Sequence, residues 1–558
     1  MITYLLNLLR QHRWQLITIT IAYGVLTIPF ASHYPFNWDA AQFTLGVMHY
    51  DIHMHQPHPP GYPWYVWGAT LLATVIPAHL ALLTITMLVG YIATLALYAL
   101  LHRISKQTGL ATILTLVWML NPLFWLHREV ALTYVVDAAA SSLVALFAYN
   151  TFTTRERWNV YAASVVLAVA GGFRPSLLML LLPLHLFQWW FHKRNWKVLL
   201  TSVIILAVGT AAWFVPVVWV TGGVSEYLSL SRNLYGTAAE TSSVFAGANP
   251  SVIWKELKLV FGTIGASLNV LGLGLLLSII LGLYQWRRRG WRAITFYWPI
   301  IIWVSCWIFP ALFVYCFIHF GQIGYALILM PPAYIGLLPG VMWCVAQTGW
   351  KRWLLLWTML GLVIVHACVF LVLAPTYAHP NYIPRTRADV MLQRLARQQT
   401  NAFKLNWAII KESDDKMSDL ESQLKQYSPD QTLIITGRDV LYPSPLNALP
   451  IRNDEVFREL STVLTDYQIV EVAPNRGYYL SSEAAKMTTV GKTTIVVPNR
   501  IKYVLFAFDQ LPMNLQPQRV IIEDKGGYYL GIMDKAWQFA GFTVQRQLDE
   551  PLNTAPKK

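Results

Sequence analysis

The chain has 558 residues, 55% apolar and 14% aromatic against only 13% charged, and a net charge of +14. That balance, with a mean hydropathy of +0.43, excludes an ordinary soluble domain and points to the bilayer. A nucleic-acid surface is excluded too: residues 1–375 carry 20 Lys/Arg against 8 Asp/Glu and 376–558 carry 22 against 20, so the excess belongs to the apolar region.

Only Trp407 and Trp537 of the 24 tryptophans lie beyond residue 375, where charge density rises. The sequence therefore predicts a polytopic α-helical membrane region over 1–375 and a soluble α/β domain over 376–558. Apolar runs near the roughly 20 residues needed to span a bilayer fall at 12–32, 79–101, 110–126, 131–152, 158–172, 175–191, 198–220, 259–285, 293–318, 323–346 and 353–375, eleven in all. From a cytoplasmic N-terminus, alternation puts 15 Lys/Arg on the inner side and 5 on the outer, satisfying the positive-inside rule. An odd number of spans then exports the C-terminal domain, giving a multi-pass cell-membrane protein. No small-residue cleavage pattern follows Leu16–Phe30, so this segment reads as the first span. The four cysteines, all in apolar segments, supply neither a disulfide framework nor a zinc spacing.

The first outer loop, 32–63, contains "NWDAAQFTLGVMHYDIHMHQPHPPGYPWYVW" from Asn37 onward. Asp39, Phe43 and Val47 recur at helical spacing, which predicts a short interfacial helix with Asp39 in its first turn. The prolines after it forbid a continued helix, and a second interfacial helix rich in Trp and Tyr follows. Asp51, His53 and His55 alternate along an expected extended segment. They have metal-ligand chemistry, but the spacing closes no coordination shell, and hydrogen bonding of the imidazoles of His55 and His58 to a polar or phosphate-bearing substrate is favoured. Asp51 reads equally as a pocket residue or a solvated loop acid.

In "HREVALTYVVDA", Glu129, Thr133 and Asp137 stand at i, i+4 and i+8 of one predicted helix, with Tyr134 adjacent. This face is expected to line a pocket, although Glu129 also suits a local pair with Arg128. Arg174 sits between Gly171-Gly172 and Pro175 at the outer end of the fifth span. The outer loop 221–258, with a small-polar run ending near Pro250, has the composition of a mobile lid. His319 and Gln322 open "HFGQIGYALILMPP", reading either as ligand contacts or as a capped helix start. Seven of the eight acids of the membrane region fall on the outer side. The positive-inside rule does not require this, and Asp137 inside a span is costly unless partnered. An outward-opening polar cavity accounts for both.

Asp39 with Gln42-Phe43, "HQPHPPGYPWYV", "NPLFWLHREVALTYVVDA", "GGFRPSLLMLLLPL" and "HFGQIGYALILMPP" occur in one order. In this the chain resembles the GT-C superfamily of membrane glycosyltransferases, specifically the relatives of the protein O-mannosyltransferases. The resemblance covers most of 1–375 and implies a bundle of eleven to thirteen helices, an outer active site and a polyprenyl-phosphate-linked sugar donor. It also implies a catalytic acid at the start of the first outer loop, which here is Asp39.

The residues suit that chemistry. Asp39 can take the proton of an acceptor hydroxyl, and Arg174 can meet the charge on a leaving phosphate. His319, Gln322, His55 and His58 are candidates for donor phosphate or sugar, and Glu129, Tyr134, Asp137 and Asp51 for the pocket or acceptor. No cofactor is required, and a divalent cation stays open as an addition. The tail alternates strand and helix patterns, with "NRGYYLSS" and "KGGYYLGIM" alike enough to suggest a repeat. The function expected is transfer of a hexose, such as mannose, from a polyprenyl-phosphate donor to an extracytoplasmic protein, lipid or glycan by inverting displacement. The alternative is a transporter or flippase of a lipid-linked or polar solute.

Overall fold

The computed structural model describes residues 12–192, 195–289, 291–372, 405–437, 462–473, 477–481, 487–490, 494–497, 500–506, 529–532, 537–539 and 542–546. Two compact units emerge, Met1–Ser32 with Pro59–Lys411 and His33–His58 with Glu412–Lys558. The sequence places a single boundary at 375/376, whereas this division sets most of the first loop with the C-terminal residues.

In chain order the helices are α1 (Arg13–Thr27), α2 (Trp38–Met48), α3 (Pro63–Leu72), α4 (Ala78–Ser105), α5 (Thr108–Met119), α6 (Pro122–Arg128), α7 (Val135–Thr154), α8 (Arg157–Phe173) and α9 (Ser176–Phe191). They continue as α10 (Trp196–Val220), α11 (Val224–Ser242), α12 (Ser251–Leu268), α13 (Gly272–Arg289), α14 (Trp291–Phe317), α15 (Met330–Val345), α16 (Gly349–Val372) and α17 (Trp407–Leu424). Among the described residues seven stretches are long and apolar enough to cross a bilayer: Ala78–Ser105, Val135–Thr154, Trp196–Val220, Ser251–Arg288, Trp298–Phe317, Ile323–Val345 and Gly349–Leu371. The pair α5 and α6, bent by 66°, makes an eighth if counted as one span. At the bend Asn121 caps α6, its side chain accepting the Phe124 amide at 3.1 Å, and Pro122 takes the first helical position, where its missing N–H costs nothing.

The first unit packs as membrane helices do. Ala138, Ala139, Ala140, Ser141 and Ser142 of α7 are all buried, and these small side chains let α4 and α8 approach it. A buried polar chain ties four helices together: Thr151 donates to Gln188 (3.2 Å), Gln188 meets His185 (3.4 Å), and His185 and Ser164 share Ser202 (2.8 and 2.7 Å). Such hydrogen bonds between polar side chains hold helices together where no water can compete.

In the second unit the strands are β1 (Thr432–Gly437), β2 (Gln468–Ala473), β3 (Gly477–Ser481), β4 (Met487–Val490), β5 (Thr494–Val497), β6 (Tyr503–Phe506), β7 (Tyr529–Ile532), β8 (Trp537–Phe539) and β9 (Phe542–Arg546). Six form one mixed sheet, β4-β3-β2-β1-β6-β7, and β5-β9-β8 form another. β1 is central, parallel to both neighbours; its Leu433, Ile434 and Ile435 are all buried, the continuous apolar run of a strand covered on both faces. The two "GYYL" segments lead into β3 and β7, each antiparallel to a strand that flanks β1, so the similar sequences take equivalent places on either side of the sheet centre. The segment "QRVIIED", whose apolar pattern suits a strand, lies outside the described residues.

Candidate functional site

Asp39 is the second residue of α2 and half-buried. The cap is its neighbour Asn37, whose side chain accepts the Ala40 amide at 3.0 Å. Asp39 lies in the first turn, where the helix N-terminus favours an anionic side chain. One turn on, Gln42 is fully buried and its Oε1 lies 2.5 Å from His58 Nδ1. The His58 ring stacks on Trp38 at 6.0 Å and 15°, and Trp38 stands edge-on to His55 at 6.3 Å. Trp38, Gln42, His55 and His58 thus form an aromatic and imidazole group at the start of α2.

The expected extended run 51–55 is instead a tight turn. Asp51 and Gln56 exchange both backbone hydrogen bonds, 2.7 and 2.8 Å, and His55 takes φ 55° inside the turn. The cause is Asx chemistry: Asp51 Oδ1 accepts the His53 amide at 2.9 Å, closing the chain locally. His53 Nδ1 lies 3.2 Å from the same oxygen. Asp51, His53 and His55 do not assemble a ligand set, and among the described residues no group of three His, Cys, Asp or Glu is placed to hold a metal.

The turn packs on α2 at Gly46, where a Cβ would lie 2.8 Å from Pro57 Cδ. Gly46→Val is accordingly expected to destabilise by about 1–3 kcal/mol through overpacking. Thermal unfolding in detergent checks this; an unchanged midpoint means that the turn yields freely.

In the first unit a second cluster forms around Arg174, which is only 8% exposed and extended between α8 and α9. Its Nε lies 2.8 Å from Asp137 Oδ1, and its Nη1 donates to Thr133 at 3.4 Å. The guanidinium lies over the rings of Tyr134 (4.7 Å) and Tyr325 (4.9 Å), a cation–π sandwich. Tyr315 stacks on Tyr325 at 5.7 Å, and His127 stands edge-on to Tyr134 at 5.2 Å. Although close, Arg174 and Asp137 lack the alignment of a hydrogen bond, and both oxygens of buried Asp137 have no hydrogen-bond donor. A desolvated carboxylate in that condition is an acceptor awaiting a partner.

The Pro-Pro-Gly-Tyr-Pro segment closes on this cluster. Tyr62 is left-handed (φ 46°, ψ 50°) and within electrostatic reach of Arg174, and Tyr227 donates to the Pro60 carbonyl at 3.3 Å. Gly172, two residues before Arg174, lies against Trp64 and Trp213. The glycine pair before Arg174 is thus a close-packing requirement.

Other expectations need revision. Glu129 and Asp137 do not share a helix face, because α6 ends at Arg128 and α7 starts at Val135. Residues 129–134 are pulled out of helix by tertiary bonds: the Glu129 carbonyl accepts the Ser32 amide (2.8 Å) and the Leu132 carbonyl accepts Thr86 Oγ1 (3.1 Å). Glu129 is fully buried and pairs with Arg128 at 3.3 Å, the local reading. Loop 221–258 contains α11, with Tyr227 buried, a helix absent from the sequence expectation. His319 Nδ1 meets Ser242 at the end of α11 at 2.9 Å, and burial pushes its imidazole below the ordinary range. Gln322 is exposed at the start of the 3-10 turn Ile323–Leu329.

Tyr325, Tyr315 and Tyr62 belong to the Arg174 cluster and carry no sequence signal beyond lying in or beside the quoted motifs. Aromatic residues are too abundant in this chain to single out three by pattern.

No family model and no curated protein matches the sequence. Among solved structures the chain is similar to ArnT from Cupriavidus metallidurans bound to undecaprenyl phosphate, with TM-score 0.56 and 14% identity over 93% of this chain and 98% of that one. The apo state of the same protein gives TM-score 0.51 and 14% identity over 94% and 98%. An Archaeoglobus fulgidus oligosaccharyltransferase structure, in complex with Zn and sulfate, gives 0.46 and 12% over 97% and 74%. The chain is a polytopic helical membrane protein with the fold of the ArnT structures. The shared length exceeds residues 1–375, so it takes in C-terminal residues for which the sequence offers no relative.

Proposed function

We propose that the protein is an integral membrane glycosyltransferase that moves a sugar from a polyprenyl-phosphate donor to an extracytoplasmic hydroxyl acceptor. The observation that carries this reading is the buried Arg174–Asp137 pair between two tyrosine rings, in a fold shared with a protein solved bound to undecaprenyl phosphate. Arginine has five N–H donors, of which Thr133 takes one on Nη1 while Nε faces Asp137 as an ion pair without hydrogen-bond alignment, which leaves donors for phosphate oxygens. The open oxygens of Asp137 suit sugar hydroxyls, and the tyrosine faces suit the apolar side of a sugar ring. The acceptor O–H gives its proton to Asp39 as its oxygen bonds to the sugar C1, and the C1–O bond to phosphate breaks. Negative charge then grows on the phosphate, to be met by Arg174. The displacement inverts the anomeric centre. A hexose donor such as a mannose one, and relation to the protein O-mannosyltransferases, are what the sequence resemblance implies.

The test is purified protein in nanodiscs with a synthetic polyprenyl-phosphate hexose and a peptide, lipid or glycan acceptor, read by mass spectrometry for a glycosidic product. Proteoliposomes that move a solute across the bilayer without any such product overturn the reading in favour of a transporter. Because the positive charge is assigned to Arg174, chelation with EDTA is expected to leave the transfer rate within about twofold, as general-base and electrostatic catalysis need no metal. A tenfold loss, restored by a divalent ion, puts a cation on the donor phosphate instead.

A further inference from the structure

We propose that Asp414, near the middle of α17, is a positioning residue for Asp39, so that the C-terminal unit sets the geometry of the base rather than capping the protein passively. This rests on the transfer reading above. The Asp414 carboxylate spans two successive backbone amides: Oδ2 accepts from His33 N at 2.8 Å and Oδ1 from Tyr34 N at 3.1 Å. His33 Nδ1 lies 3.2 Å from the same Oδ2, and Ser413 Oγ donates to the Phe36 carbonyl at 3.5 Å. Two turns further along α17, Glu421 accepts from the Tyr34 hydroxyl at 2.5 Å.

Four residues of α17 thus recur on one face. Ile410 and Met417 are buried, and Asp414 and Glu421 fall at the same helical spacing. This face grips residues 33–36, and the chain then runs through the cap Asn37 into α2 with no slack before Asp39. An amide pair held by one carboxylate fixes both the position and the direction of the entering chain, since each bond constrains a different peptide plane. Nothing in residues 33–36 supplies that constraint locally: they form no helix or strand, and Pro35 has no amide to donate. The entry angle of α2, and with it the Asp39 carboxylate, is therefore inherited from α17. General-base catalysis is sensitive to such displacement, since an error of about 1 Å costs up to about 100-fold in rate.

The experiment pairs hydrogen exchange with kinetics on the full chain in nanodiscs, comparing wild type, Asp414→Ala, Asp414→Asn and the milder Tyr34→Phe. In Asp414→Ala the amides of His33, Tyr34 and Trp38–Met48 are expected to exchange about tenfold faster, while β1 stays protected as the control for general unfolding. Turnover is expected to fall about tenfold with KM for the polyprenyl-phosphate hexose unchanged. Asp414→Asn, which keeps one acceptor oxygen, recovers part of both. Unchanged exchange at residues 33–48 overturns the proposal, as does faster exchange with wild-type turnover. If Asp414→Ala loses protection in β1 as well, Tyr34→Phe decides by the same two readouts. Wild-type protein that transfers no sugar refutes the proposed function itself, and with it the role assigned to Asp414, whatever the exchange data show.

Discussion

Asp39→Asn is expected to lower sugar transfer by about 10²–10⁴-fold, the range over which a positioned general base contributes. The substitution preserves size and shape and removes only the ability to take a proton. Asn37 does the capping, so the substitution leaves the cap of α2 in place. Folding and donor binding should survive while the chemical step fails, a pattern of low kcat with near-normal KM. The measurement is single-turnover transfer from the lipid-linked donor, alongside a thermal midpoint to show that the variant is folded. Transfer at the wild-type rate in a folded Asp39→Asn protein removes Asp39 from the mechanism. Asp51 is no rival for the role, because its carboxylate is engaged in its own turn, with the His53 amide at 2.9 Å.

The contrast between those two aspartates shows where sequence reasoning succeeds here and where it stops. The helix from Trp38 to Met48 was legible because Asp39, Phe43 and Val47 keep helical spacing and the proline-rich segment ends it. The turn at 51–56 was not, since parity along an assumed strand carried more weight than the Asx habit of an Asp two residues before an amide donor. Amphipathic spacing also fails where every side is apolar. Val130, Ala131 and Leu132 fit a buried helix or a buried loop equally, and what decides between them is the distant hydrogen bonds from Ser32 and Thr86. By contrast α11 left a readable signal, Tyr227, Leu230 and Leu234 at i, i+3 and i+7, masked by the small polar residues around it. In the C-terminal unit the apolar strands were visible, but the β8–β9 pair with Phe539 opposite Phe542 was missed, and the division of the first loop from the helices after it has no compositional mark at all.

Arg174 and Asp137 offer the sharper test, because the pair has a structural duty and a proposed chemical one that a double substitution can separate. Removing one partner of a buried ion pair leaves an uncompensated charge, which costs about 3–5 kcal/mol, whereas replacing both is often close to neutral. Arg174→Gln and Asp137→Asn alone are therefore each expected to lower the thermal midpoint and the yield of folded protein. The double variant Arg174→Gln/Asp137→Asn is expected to regain most of that stability, with the two amides filling the space between Tyr134 and Tyr325. Transfer should not return with it. No neutral amide can stabilise the charge that develops on the departing phosphate, and the loss of one such electrostatic contact costs about 10²–10³-fold in rate. Detergent-phase unfolding and single-turnover transfer on the same three preparations separate the two effects. A double variant that is stable and transfers sugar at the wild-type rate makes the pair a strut between α7 and the α8–α9 turn. The donor phosphate must then be held by other groups, of which His319 is the first to substitute. Stability restored without activity instead shows that the pair serves transfer and not only the fold, as expected if the guanidinium meets the leaving phosphate and Asp137 the sugar.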